Sequence, residues 1–126
     1  MGLKLNSQLK EYVDSYPVDL QNQVYEYLDG KRNVFDTEFL EIPGTKFQQE
    51  VLREMTKIPY GETISYKKLA EKVGRPKAHR AVANVCGMNP YPIVIPCHRV
   101  VSSNGIGGFS LGLDMKKKFL KLELNK

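Results

Sequence analysis

Cysteine, histidine and arginine stand side by side at Cys97-His98-Arg99, and no other stretch of the chain is as well equipped for chemistry. A thiolate is a strong nucleophile; an adjacent histidine can take its proton, and a nearby cation favours the charged sulfur. Most cysteines are inert core residues, so context has to decide. Ile93-Val94-Ile95 just before it are three β-branched residues, which predict a short buried strand. Pro96 then ends that strand, because it has no N–H to give to a ladder. The thiol is therefore expected at the rim of a rigid element, beside groups that favour its ionisation. A metal is the competing use of Cys86, Cys97, His79 and His98. Their spacing contains no CxxC or HxxxH pair, so neither metal nor cofactor is expected.

The chain's size limits what can carry this trio. Its 126 residues give room for one domain with a modest core. A hydrophobic content of 41% with 26% charged residues is that of an ordinary soluble protein. No apolar run approaches the roughly 20 residues of a membrane span, and the first residues lack a signal-peptide core. A cytoplasmic protein with no membrane partner is expected, and a reducing compartment argues against a Cys86–Cys97 disulfide. A net charge of +5 permits a nucleic-acid partner without requiring one.

The positioning elements are mostly helical. Leu5, Leu9, Val13 and Tyr16 share a helical face that stops at Pro17. A second helix is expected over 19–29, ended by Gly30, and residues 31–44 have no period and read as a connector. Thr45 and Gln48 have capping-box spacing, and Phe47, Val51, Met55 and Ile58 follow at helical intervals. Ser65 can cap a short helix with Tyr66, Leu69, Ala70 and Val73 on one face and Gly74 after it. The next helix is expected over 77–87 with Ala78, Ala81, Val82 and Val85 inward, so the two make a helix-turn-helix candidate. Ser102-Ser103-Asn104-Gly105 is a tight-turn signal, and Gly107, Gly108 and Gly112 allow close backbone approach. Asp114 is the expected cap of a last helix with Met115, Phe119 and Leu122 inward. Cys86 reads as core.

Several motifs coincide with this framework: Gly44-Thr45-x-Phe47-Gln48, Gly61-Glu62-Thr63-Ile64-Ser65-Tyr66, and Lys77-Ala78-x-Arg80-Ala81-Val82. Asn89-Pro90-x-Pro92, Pro96 to Val101 and Leu122-Glu123 follow. Together they resemble the O6-alkylguanine-DNA alkyltransferases over nearly all of 44–124. The resemblance implies an α+β, mostly α fold: a winged-helix-like helix-turn-helix domain over 45–126 with a small β element. Residues 1–44 would be a shortened helical N-terminal segment and connector, without the N-terminal sheet that members commonly carry.

The same resemblance implies irreversible transfer of an alkyl group from O6 of guanine in double-stranded DNA to Cys97. O4-alkylthymine is a further candidate substrate. His98 and Glu123 would remove and stabilise the thiol proton, which is the logic of a catalytic triad. Tyr66 would donate to guanine N3. Arg80 would fill the gap left by the extruded nucleotide, and Ala78 and Ala81, with Ala83, suit a helix lying in the minor groove. Asn89 would tie that helix to the cysteine loop. The carbonyls of Cys97 and Val100 would accept from the guanine amine, the Ser110 amide would reach O6, and Pro92 and Phe109 would wall the pocket. A monomer is expected. Leu111 stands where glycine is common, so its side chain is expected to narrow the space for bulky alkyl groups. The alternatives are a non-catalytic lesion-binding protein, whose known relatives replace the cysteine, and a thiol hydrolase.

Overall fold

The computed structural model describes residues 2–124. Helix α1 (Ser7–Asp14) begins where the Asn6 side chain accepts from the Leu9 amide, and α2 (Val18–Leu28) follows directly after Pro17. Leu9, Val13, Leu20, Val24 and Tyr27 recur at helical spacing and are buried. Residues 31–45 form neither helix nor strand.

Helix α3 (Lys46–Met55) opens with the full capping box between Thr45 and Gln48. Helices α4 (Tyr66–Lys72) and α5 (His79–Gly87) are the expected helix-turn-helix pair. Ser65 caps α4 by accepting from the Lys68 amide, and Gly74 takes the positive φ of +77° that ends it. Val51, Leu52, Met55, Leu69, Ala70, Val82 and Val85 form the core between these three helices. Ala81 is exposed rather than inward: burial on α5 is confined to Val82 and Val85.

Among the described residues the sheet is one pair of two-residue strands, β1 (Ile64–Ser65) parallel to β2 (Val100–Val101), with Ile64 opposite Val100. Since Tyr66 follows β1 and a 3-10 turn over Cys97–Arg99 precedes β2, this small ladder brings those two residues to one place. Helix α6 (Leu113–Leu124) follows and packs Met115 and Phe119 against α1 and α2. It starts at Leu113, so Asp114 lies inside its first turn, where a carboxylate still suits the helix dipole, and is not its cap. The result is a predominantly helical α+β fold.

The largest departure from the sequence expectation is Ile93-Val94-Ile95, which is a turn and not a strand. Ile93 has φ +77°, a left-handed conformation costing a β-branched residue on the order of 1–3 kcal/mol. Side-chain bonds outweigh the local preference. Asn89 Nδ2 donates to the Ile95 carbonyl at 2.7 Å, and Asn89 Oδ1 accepts from the Tyr91 amide at 2.9 Å. The Ile95 amide returns to the Tyr91 carbonyl at 2.8 Å, and the Tyr16 hydroxyl holds the Pro92 carbonyl at 2.9 Å. This loop runs between the two cores, giving Ile93 and Val94 to one and Ile95, Cys97 and Val100 to the other.

Candidate active site

Cys97 emerges from that loop through an inverse γ-turn. Pro96 has φ −80° and ψ +66°, and the Cys97 amide donates back to the Ile95 carbonyl at 2.8 Å. The Ile95 carbonyl thus accepts from both Asn89 and Cys97, so one side chain at the end of α5 fixes the cysteine backbone. The sulfur faces a cavity of about 290 Å³ lined by Tyr66, Ala83, Cys86, Gly87, Cys97, Gly108, Phe109 and Ser110. That is room for a single base-sized ligand. Wider hollows elsewhere, such as the one between Lys46, Glu50, Arg53 and Lys72, hold no thiol.

The far wall of the cavity is backbone from the glycine loop. Gly107 has φ +76°, and a Cβ there would come within 3.0 Å of the Tyr66 ring. Only glycine lets this loop lie against Tyr66. The Tyr66 hydroxyl is turned toward the Gly108 carbonyl at 3.4 Å. Phe109 packs edge-on against Phe119, with ring centroids 6.5 Å apart.

Three expected positions differ. Leu111 is buried among the side chains of α1, α2 and α6, so it does not narrow the cavity. Pro92 is buried on the inner side of the turn, with its carbonyl held by Tyr16, and is not a lining residue. Cys86 is not plain core: it is half-buried and forms part of the cavity wall.

Behind Cys97, charge is concentrated on Glu123. His98 Nε2 lies 2.6 Å from Glu123 Oε2. Arg99 grips both oxygens, Nε to Oε1 at 2.8 Å and Nη2 to Oε2 at 3.1 Å. The Gly61 amide donates to Oε1 at 3.0 Å and the Tyr27 hydroxyl to Oε2 at 2.6 Å. His98 and Arg99, by donating to it, hold this carboxyl far below the usual range although burial opposes them. Burial keeps His98 below its ordinary pKa, so the ring is neutral at rest and the Glu123 bond places its proton on Nε2. His98 Nδ1 is buried with no hydrogen-bond partner among the described residues, leaving a basic lone pair one residue from the thiol.

Sequence reasoning missed three of these participants. Tyr27 fitted the helical core pattern, and nothing local marks its hydroxyl as a donor to a distant carboxylate. From its sequence position Arg99 is expected to aid the thiolate, whereas its guanidinium is spent on Glu123 and the Ile58 carbonyl. Lys116 is fully buried, donating to the Val100 carbonyl at 2.7 Å and the Gly108 carbonyl at 2.9 Å. Its place beside Met115 on the inward face was the available signal.

At rest the sulfur is held as the thiol, so the proton that His98 is expected to take is still on it. Burial pushes the Cys97 thiol up to about 11, against the lowering pull of the Asn89 amide and Lys116. Its intrinsic reaction with iodoacetamide, followed at Cys97 by peptide mapping, is expected to rise about tenfold per pH unit from pH 7 to 9. A plateau before pH 9 would show that burial does not control this thiol.

Residues 46–125 match the family model described as "6-O-methylguanine DNA methyltransferase, DNA binding domain". A probable methylated-DNA–protein-cysteine methyltransferase of Acanthamoeba polyphaga mimivirus is 45% identical over 100 residues, covering 79% of this chain and 67% of that protein. The methylated-DNA–protein-cysteine methyltransferase of Methanosarcina barkeri is 46% identical over 104 residues, covering 82% of this chain and 65% of that one. Among solved structures, Mycobacterium tuberculosis OGT in complex with DNA aligns with a TM-score of 0.79 at 42% identity, covering 82% of this chain and 65% of the other. The chain thus spans about two thirds of the length of these relatives. With the cysteine loop, the helix-turn-helix and the closing glutamate all inside the matched region, this chain belongs to the methylated-DNA–protein-cysteine methyltransferase family.

Proposed function

We propose that this protein repairs DNA by moving the alkyl group of O6-alkylguanine onto Cys97, once per molecule. The observation that carries the reading is a thiol facing a base-sized cavity, followed in the chain by a neutral, carboxylate-oriented histidine. Because no hydrogen bond joins the two groups, the thiol proton passes through one bridging water to His98 Nδ1 as sulfur attacks the alkyl carbon, forming the S–C bond. The C–O6 bond breaks with its electron pair going to the base, and the proton is finally delivered to guanine. Glu123 stays anionic and balances the transient imidazolium. Tyr66 is suited to donate to the ring edge of the departing base, the Ser110 amide to O6, and the Cys97 and Val100 carbonyls to accept from its amine. Phe109 walls the cavity, and Asn89 keeps the loop tied to α5.

DNA is met by residues 45–126, with 1–44 completing the core behind the site. Lys67, Lys68, Lys72, Arg75, Lys77 and Arg80 are exposed on α4, α5 and their junction, a basic surface suited to phosphates. Exposed Ala81 and half-exposed Ala78 and Ala83 give α5 a low profile for the minor groove, and a monomer in the cytoplasm suffices for the reaction.

The test is intact mass and guanine analysis after incubation with duplex DNA holding O6-methylguanine. Loss of the lesion with a methyl on Cys97 supports transfer; tight binding with unchanged mass replaces it with lesion recognition alone. Arg80 gives a second check. Arg80→Ala is expected to slow repair in duplex DNA by at least about tenfold while leaving reaction with free O6-benzylguanine within about twofold, because only the duplex demands unstacking. Equal slowing on both substrates would move Arg80 from extrusion to chemistry.

A further inference from the structure

The Tyr27 hydroxyl reaches the reactive site from α2, 96 positions before Glu123 in the chain, donating to Glu123 Oε2 at 2.6 Å and lying 3.4 Å from His98 Nε2. We propose that Tyr27 is a positioning residue: by sharing the carboxylate oxygen that His98 uses, it sets how readily His98 takes the thiol proton. The inference rests on the alkyl-transfer reading above and makes the N-terminal helices part of the reaction apparatus.

The ring and the hydroxyl have separable duties. Tyr27's ring packs against Phe35, Tyr60 and Phe119 at centroid distances of 5.6, 6.0 and 6.2 Å, work that phenylalanine would do equally well. The hydroxyl, by contrast, is buried in apolar surroundings, where an unpartnered O–H is costly, and its acceptor is the carboxylate. Burial, then Glu123, raise the phenol far above its ordinary range, so it is a neutral donor at every working pH.

Glu123 Oε2 receives three donors: Tyr27, His98 at 2.6 Å and Arg99 Nη2 at 3.1 Å. Each draws on the same negative charge, so a bond to Tyr27 weakens the pull of Glu123 on the imidazolium. The other charged or titratable groups around the ring are Lys116 from α6, Arg99 and Cys97 from its own loop and, beyond the carboxylate, Tyr60. Of these, Arg99 shares Oε2. Removing the Tyr27 hydroxyl therefore has a signed consequence: His98 becomes more basic, and the acid side of the pH–rate profile moves up.

The experiment is Tyr27→Phe in the full chain. Methyl-transfer rate is measured against pH, and His98 is titrated by NMR with labelled histidine, exposed His79 serving as internal reference. The His98 titration and the acid limb are both expected to move to higher pH by about half to one unit, so that on the limb the variant runs about threefold to tenfold slower relative to its own plateau. Site-specific 3-fluorotyrosine at position 27, a stronger donor that hardly perturbs packing, is expected to move both the other way. A lower melting temperature with the limb and the titration unmoved overturns the proposal and leaves Tyr27 as packing alone. If the natural protein transfers no methyl group, the alkyl-transfer reading fails, and the NMR arm still decides whether Tyr27 governs His98.

Discussion

Mixing the protein with excess duplex DNA carrying O6-methylguanine is expected to add one methyl group per molecule, about 14 Da, and then to stop. The limit follows from the product. A thioether carbon offers water no good leaving group, so each molecule is consumed by one lesion. The cavity holds a second thiol, which sharpens the test: Cys86 also lines it, yet burial pushes that thiol up to about 12 and no histidine accompanies it. Peptide mapping should find the methyl on Cys97 and none on Cys86. Cys97→Ser is expected to retain lesion binding and lose transfer by at least about a thousandfold, because an alcohol is a far poorer nucleophile toward carbon at neutral pH. Release of repaired guanine beyond one equivalent would sink the single-use reading and favour a hydrolytic thiol.

How much of this was legible beforehand depended on how local the cause was. The capping box of Thr45 and Gln48, the Ser65 cap and Gly74 after α4 act within four or five residues, and each was readable from spacing. So was the tight turn closing between Ser102 and Gly105. Ile93-Val94-Ile95 was not. Its β-branched composition points to a strand, and it becomes a turn because Asn89 and Tyr16, one of them 76 positions away from its partner, claim the backbone groups a ladder would use. Leu111 shows the same limit from another side. Its replacement for a common glycine is visible in sequence, but the direction of its side chain is set by the packing of α1 and α2 against α6. The balance at the thiol has a related cause: the sequence puts a cation next to the sulfur, whereas Arg99 turns away to Glu123 and burial decides. Family resemblance located Cys97, His98 and Glu123, but the shell that orients them, Tyr27, Arg99 and Lys116, is a product of tertiary packing.

Glu123→Ala is expected to destabilise the fold by about 3–5 kcal/mol, the usual result of leaving a buried charge unpaired, and for a domain of this size to lower the melting temperature by roughly 15 °C. Arg99 would keep only the Ile58 carbonyl at 2.8 Å and the face of Tyr60, 5.6 Å from its guanidinium carbon. The Tyr27 hydroxyl and the Gly61 amide would also lose their acceptor. The loss has a pH signature. Because the carboxyl's folded pKa lies far below its ordinary 4.5, its contribution is complete above that value and is lost as pH falls below it. The gap between natural protein and variant should hold steady from pH 6 to 8 and narrow under about pH 4. Stability and chemistry can then be separated with Arg99→Met/Glu123→Leu, which removes both buried charges together. That double variant is expected to recover most of the lost melting temperature while transferring methyl groups at least about tenfold more slowly than the natural protein, since His98 has no carboxylate to fix its tautomer. Recovery of rate along with stability would mean that Glu123 serves the fold alone, and that the proton from Cys97 leaves by another route.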